Sequence, residues 1–313
     1  RNDREITEAV GDMAVVVEGN NQFALDLYGV NAVEEGNLFF SPFSVNSALS
    51  MLYAGAEGDT EAQIAAALGV QDEAAWHENL AALNNDLCGE HHRAYSLYSA
   101  NGVWGQDGVP FDADYEALME DTYEAPLQTM DFVGDSAGAV QEINDWVEDN
   151  TEGHIRELFR SGDIDSNTKL VLANAIYFKA DWAEQFEEAD TTVRDFTLAT
   201  GDVVTLPTMS LTANLRIATY DDLQVLEMPY EDDELSMVVL LPTAYDGLAD
   251  LEAQLDAAQL AEWIDGAVEL ETQVLFPSFE LETELPLLEN LLALGITDAF
   301  SDTLASSTRT AIV

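Results

Sequence analysis

The apolar pattern of the chain is most unusual between Lys169 and Trp182, which reads Lys-Leu-Val-Leu-Ala-Asn-Ala-Ile-Tyr-Phe-Lys-Ala-Asp-Trp. As one extended strand it would span roughly 45 Å, against about 17–20 Å for an ordinary strand. One side carries Leu170, Leu172, Asn174, Ile176, Phe178 and Ala180, the other Val171, Ala173, Ala175 and Tyr177, so neither side alternates out to water. Both faces are therefore predicted to be buried, with the stretch as a central strand. The second face is mostly small, which suits a helix lying close across the sheet. Asn174 then needs hydrogen-bond partners, because an unpaired buried amide is costly.

The helix that fits this role is Ser136 to Asn150, where Val140, Ile143, Trp146 and Val147 make a narrow apolar stripe and Gly153 follows as a stop. Ile6 to Val30 carries an imperfect helical stripe of Met13, Val16, Val17, Phe23 and Leu27. The segment from Asn37 begins as a short buried strand that Pro42 stops. Ser41 and Ser44 are placed to cap a helix through Ser47, Leu49, Met51 and Leu52, which Gly55 and Gly58 end. Thr60 and Gln63 have capping-box spacing for a third helix, running to Leu68 and closed by Gly69; a fourth covers about Glu73 to Leu87.

Tyr95 to Gly105 alternates as a strand, Asp112 to Thr122 as a helix and Leu127 to Phe132 as a strand. Past Trp182, strands are predicted at Val193 to Leu198, Val203 to Met209, Leu215 to Tyr220, Leu223 to Tyr230 and Leu235 to Leu241. The last two flank the acidic turn Glu231 to Glu234. Helices follow near Gly247 to Leu255 and Ala257 to Ile264, then a strand-like stretch from Val268 to Leu281. Pro286 opens a leucine-rich helix that Gly295 closes. No linker, repeat or low-complexity run divides the 313 residues, so one large domain is expected.

Charge changes the picture of the surroundings. There are 61 acidic and 10 basic residues, a formal net charge of −51, and Lys169 and Lys179 are the only lysines. Binding to a phosphate backbone is excluded. Self-repulsion on this scale opposes compaction in dilute buffer, whereas at about 1 M salt the Debye length falls to about 3 Å. The acids are spread from Asp3 to Asp302 instead of gathered in one run, which favours adaptation to high salt over a patch for a cationic partner. A hydrophobic content of 47% argues against acidic disorder. No apolar run reaches the ~18 residues of a membrane helix and no signal peptide is visible, although the chain begins at Arg1, which leaves room for a removed leader.

Chemistry-bearing motifs are sparse. The chain holds no G-x-S-x-G, P-loop, G-x-G-x-x-G, H-E-x-x-H or EF-hand pattern, and no cofactor or catalytic residue is expected. Cys88, His91 and His92 have spacing that could bring a thiolate and an imidazole to a metal, but Gly89 interrupts them and no fourth ligand is evident, so the reading is no metal site. A single cysteine forms no intramolecular disulfide. A dispersed hydrolase triad leaves no mark in sequence, and nothing points to one.

Several stretches together resemble the serpins, protease inhibitors that trap their targets by conformational change. Asn37-Leu-Phe-Phe-Ser-Pro-Phe-Ser-Val-Asn-Ser-Ala-Leu-Ser-Met-Leu with Gly55-Ala-Glu-Gly-Asp-Thr60 resembles the family's early strand and helix. Lys169 to Trp182 resembles its central strand, and Val225-Leu-Glu-Met-Pro-Tyr230 with Ser236-Met-Val-Val-Leu-Leu-Pro242 its strand hairpin. Phe276-Pro-Ser-Phe279 and Leu294-Gly-Ile-Thr-Asp-Ala-Phe-Ser301 follow in the right order, so the resemblance runs from about residue 7 to 301.

The resemblance implies an α+β fold of three β-sheets and eight or nine helices, with a large central sheet covered by a helix. Lys169 to Trp182 would be strand three of that sheet and Tyr95 to Gly105 strand two. In the family a reactive loop is cleaved by a serine protease and inserts as a new strand, carrying the acylated enzyme with it. The family's shutter, where the sheet parts, maps onto Ser41, Ser44 and Asn174, with Asn174 expected to bond the helix that begins near Ser44, directly or through water. Its breach, where the loop first enters, maps onto Trp182. The resemblance further implies a monomer in an extracellular or cell-surface setting, with a high-salt cytoplasm as the alternative. After Ser301 the expected fifth strand, hinge and reactive loop are not recognisable, and Thr310-Ala-Ile-Val313 has only a hinge-like flavour. On that basis the expectation is a C-terminally incomplete domain, inactive by itself, of a protease inhibitor, the reactive bond being unknown. The alternative is a non-inhibitory binding or scaffold protein of the same fold.

The charge generates a prediction. Far-ultraviolet circular dichroism across a KCl titration should give the folded spectrum only toward molar salt. An unchanged spectrum and thermal midpoint from low to high salt would show that specific pairing, and not screening, handles the acid load.

Overall fold

A computed structural model of the chain describes residues 13–32, 36–88, 94–151, 153, 155–281, 283, 285 and 287–300. The elements through the long strand are α1 (Met13–Asn31), α2 (Pro42–Tyr53), α3 (Gly58–Leu68), α4 (Glu73–Cys88), β1 (Tyr95–Gln106), α5 (Ala113–Asp121), β2 (Gln128–Met130), α6 (Ser136–Asn150) and β3 (Leu170–Ala180). After it come β4 (Thr192–Thr197), β5 (Val203–Thr219), β6 (Leu223–Pro229), β7 (Ser236–Pro242), α7 (Leu248–Glu252), α8 (Ala257–Asp265), β8 (Val268–Pro277) and α9 (Leu287–Ala293). The described parts of Arg1–Gly89, Leu97–Tyr177 and Glu282–Val313 form one compact unit, and those of Glu90–Ser96 and Phe178–Leu281 a second.

In the first unit β3 is buried on both faces from Val171 to Ala175, as its apolar pattern requires. On one face Leu172 joins Phe23 and Leu27 of α1, Leu49 and Met51 of α2, Ile64 of α3 and Trp76 of α4. On the other, Val171 and Ala173 meet Ile143 and Val147 of α6, together with Trp104 of β1, Phe132 and Phe159. The small residues of β3 thus lie where α6 packs. Asp135 caps α6, its Oδ1 accepting from Gly138 N–H at 2.9 Å. Asn144 ties the helix down by donating to Phe159 O and accepting from Phe159 N–H, both at 2.8 Å.

The strand order is β2-β1-β3, with β1 and β2 parallel from Trp104↔Gln128 to Gln106↔Met130. This corrects the predicted central position of β3: among the described residues β1 is in the middle and β3 at the edge. The reason is that apolar faces record the layers above and below a strand, whereas lateral position depends on ladder partners that the pattern does not encode.

In the second unit the 17-residue β5 replaces two predicted strands. It pairs with β4 over Val203–Thr208, with β6 over Arg216–Thr219, and with β8 from Thr208↔Pro277 to Ile217↔Val268. The polar middle of β5 stays extended because β8 pairs across it. The described ladders form two sheets, β5 tying β4, β6, β7 and β8 into the second, in the α+β architecture the resemblance implied. The acidic turn between β6 and β7 is present, with Asp232 and Asp233 in the left-handed region at φ 73° and 58°. Ala218, Leu223 and Val225 pack against Leu251 of α7 and Trp263 of α8. Arg216 pairs with Glu227 and donates to Ile264 O at 3.1 Å and Ala267 O at 3.2 Å, satisfying carbonyls at the end of α8.

Two local readings are corrected. Residues 37–41 form no strand and Phe39 is 59% exposed; a strand needs a ladder partner, and none is present among the described residues. Helix α2 stops at Tyr53 with Ala54 as its C-cap, and Gly55 follows directly as expected. Thr60 lies inside α3, which starts at Gly58 with φ 65°. Gln63 instead accepts from Thr297 N–H at 2.8 Å and Asp298 N–H at 2.9 Å, because that tertiary contact offers its amide two backbone donors. Gly69 closes α3 at φ 74° as expected. His91, His92, Pro286, the start of the first predicted helix and Thr310–Val313 lie outside the described residues.

Two glycines test the packing with opposite signs. A methyl on Gly102 would overlap the ring of Trp104, which is fully buried, whereas one on Gly29 in α1 meets nothing within 4 Å. Gly102→Ala should cost about 1–3 kcal/mol through overpacking, and Gly29→Ala should stabilise by up to about 1 kcal/mol. Urea midpoints in molar KCl check both.

Candidate functional site

Helix α2 and its cap place a hydroxyl at every third position, Ser41, Ser44, Ser47 and Ser50, so that each lies about one turn from the next. Ser41 is the N-cap, in extended conformation before Pro42, where a proline costs no hydrogen bond. Its Oγ accepts from Ser44 N–H at 3.2 Å and lies 3.1 Å from Ser44 Oγ. Ser47 donates to Phe43 O at 2.9 Å. Ser50 donates to Asn46 Oδ1 at 3.0 Å and accepts from the Trp76 indole N–H at 2.9 Å. The sequence reading of Ser41 as a cap is met, and Ser41 and Ser44 come together.

Asn174 makes its direct hydrogen bonds to β1. Buried to 4% exposure in β3, it donates from Nδ2 to Ser99 Oγ at 3.0 Å and to Asn101 Oδ1 at 2.9 Å, both on β1, and makes no hydrogen bond to α2. Cross-strand side chains on one face sit about 5 Å apart, while a layer packed on a sheet is about 10 Å away, so the neighbouring strand supplies the partners first. Asn174 Oδ1 and Asn46 Nδ2 are buried with no protein partner among the described residues.

Behind these lies a pair that sequence reading missed. His77 of α4 is 2% exposed, and its Nδ1 lies 2.5 Å from the Tyr123 hydroxyl. Burial pushes the imidazole down to about 4 and the Tyr123 phenol well up, the latter opposed by a hydrogen bond with Ser50. The pair is sealed from substrate and includes no serine or cysteine nucleophile. The period-three serines and the inward Ser99 and Asn101 on β1 were legible as polar positions at regular spacing; the meeting of residues 77 and 123 was not. Among the described residues no group of three His, Cys, Asp or Glu is arranged to hold a metal ion. Likewise, no described helix is long and apolar enough to cross a membrane.

Trp182, in the second unit, follows β3 and is clasped to the end of β6. An isolated antiparallel bridge joins it to Tyr230, flanked by Ala183 N–H to Pro229 O at 3.0 Å and Glu231 N–H to Asp181 O at 2.9 Å. The indole stacks on the Tyr230 ring at 4.5 Å and 13°, with Phe178 edge-on to Tyr230 at 5.1 Å. With Phe186 it packs on Leu215, Met228 and Val274. The ring is a fixed aromatic platform and burial raises the Tyr230 phenol.

Comparison with known proteins connects these features. Residues 18–311 match the family model described as Serpin (serine protease inhibitor). Leukocyte elastase inhibitor A of Mus musculus is 37% identical over 303 residues, covering 94% of this chain and 80% of its own. The leukocyte elastase inhibitor of Sus scrofa is 39% identical over 295 residues, covering 90% and 77%. Among solved structures, ovalbumin of the emu (Dromaius novaehollandiae) superposes with a TM-score of 0.87 at 26% identity, over 96% of this chain and 84% of that one. A match that takes in both sheets, the serine-lined helix α2 and the Trp182 clasp makes this chain a member of the serpin family.

Proposed function

We propose that this protein inhibits a serine protease by letting a cleaved reactive loop enter the β2-β1-β3 sheet as a new strand. The observation that carries the reading is 37% and 39% identity to leukocyte elastase inhibitors along 94% and 90% of the chain. Ten or more new ladder bonds at about 0.5–1.5 kcal/mol net each sum to the order of 10 kcal/mol. That rivals the stability of a whole domain, about 5–15 kcal/mol, which is enough to distort a captured enzyme. In this reading Ser41, Ser44 and Asn174 form the shutter and Trp182 the breach, in a monomer adapted to high salt by its −51 charge. Neutral hydroxyls and amides suit a parting sheet because they exchange partners without exposing a charge to the interior.

The protein expressed from its intact gene, mixed with leukocyte elastase in molar KCl, should give a denaturant-resistant complex of summed mass on a gel. Cleavage without a complex, leaving the protease active, would overturn inhibition and favour the binding or scaffold alternative.

Asn174→Ala removes two hydrogen bonds from the shutter and should lower stability by about 1–3 kcal/mol while reducing the yield of complex. Urea unfolding and the gel assay read the two effects, and a variant matching wild type in both would remove Asn174 from the shutter.

A further inference from the structure

Helix α4 is linked to strand β3 through Tyr123, which is bonded at both its side-chain hydroxyl and its backbone carbonyl. His77 Nδ1 meets the Tyr123 hydroxyl at 2.5 Å, and the Tyr123 carbonyl accepts from Asn101 Nδ2 at 3.2 Å. Asn101 Oδ1 accepts from Asn174 Nδ2 at 2.9 Å, and the same Asn174 amide reaches Ser99 at 3.0 Å. A helix residue is thereby joined to the amide in the middle of the doubly covered strand, through two residues that nothing else in the proposed mechanism uses.

We propose that His77 is an acid-sensitive latch: its protonation buries a charged Nε2–H with no partner, the packing around His77 and Tyr123 opens to hydrate it, and the loss is passed through Asn101 to Asn174, loosening β3 from β1. The latch is a property of the folded chain and is tested without protease, so it stands or falls separately from the inhibitor reading.

The physical basis is a mismatch of donors. A neutral imidazole has one N–H; the imidazolium has two and accepts nothing. Nε2 of His77 is buried with no partner, so a second N–H has nowhere to go in the closed packing. The ring faces phenols. Tyr53 of α2 lies at 5.6 Å between ring centroids and Tyr123 at 5.7 Å, with Tyr115 of α5 acting on Tyr123. Glu61 of α3, Asp72 and Glu73 act on the Tyr53 hydroxyl. Glu78, next in sequence, has a buried Oε2 without a partner, and Glu124 beside Tyr123 is exposed. None of these carboxylates bonds the imidazole.

Burial lowers the imidazole from 6.5 to about 4, so the closed state binds fewer protons than an opened one. Closure is therefore fully favoured above pH 6.5 and weakens as pH falls toward 4. For that shift the opening equilibrium rises about 20-fold between pH 7 and 5 and levels off somewhat above about 200-fold below pH 3.

Hydrogen exchange followed by mass spectrometry on the full chain in molar KCl, corrected for intrinsic rates, tests this in peptides covering residues 171–175 and α4. Wild type should show the rise of about 20-fold at pH 5 in both peptides. His77→Gln should be flat in both. Tyr123→Phe should keep the rise in α4 and lose it in β3. A rise that persists in His77→Gln, passes unchanged through Tyr123→Phe, appears equally in β8, or is missing from wild type would overturn the latch. The variants carry the same carboxylates, so acid titration of the surface cancels. Should His77→Gln fail to fold, Tyr123→Phe against wild type decides alone.

Discussion

Residues 171–175 of β3 lie between two apolar layers that must both be satisfied, and one of the five is an amide. Burying Leu172 against α1 to α4 and Val171 with Ala173 against α6 supplies the hydrophobic gain. Asn174 sits inside that sandwich and costs free energy unless bonded, which Ser99 and Asn101 provide from the adjacent strand. The sheet is therefore held by packing across its faces and by polar contacts along its plane. Parting the strands in the plane exchanges only hydrogen bonds, while the apolar layers resist displacement.

The acid load leaves this arrangement alone. Among the described residues the buried polar side chains are serine, threonine, asparagine, glutamine and histidine, with no aspartate, glutamate, lysine or arginine among them. Apart from the buried Oε2 of half-buried Glu78, the described interior is thus built of uncharged groups under a surface of extreme charge, and the two respond to different variables. Ionic strength acts on the surface through screening. Proton concentration reaches the interior at His77, the one buried polar side chain among those described that becomes cationic in mild acid.

Under the proposed mechanism the in-plane polarity has a use. A sheet that accepts a strand needs a seam whose groups can be unpaired and paired again at small net cost, since each hydrogen bond is worth only about 0.5–1.5 kcal/mol net. The serines of α2 and the amides of β1 and β3 meet that requirement. The Trp182 clasp does the opposite job, fixing the chain just beyond β3 to Tyr230 by backbone bridge and ring stacking. The second unit has its own organiser in β5, whose 17 residues tie four other strands into one sheet.

The amino-acid sequence by itself determined the burial of both faces of β3, the span of α6, the cap at Ser41 and the stop at Gly69, because each is written in local periodicity or in residues with one conformational use. It also set the charge and, through ordered motifs, the family. Only tertiary structure decided that β1 and not β3 is central, that β5 is one strand, that residues 37–41 make none, and that Gln63 serves Thr297 and Asp298 instead of a cap. It likewise chose β1 over α2 as the partner of Asn174, and brought His77 to Tyr123 across 46 residues of chain. Periodicity tells a residue which way to face; which group it meets there depends on segments far away in sequence, whose pairing is settled by packing of the whole.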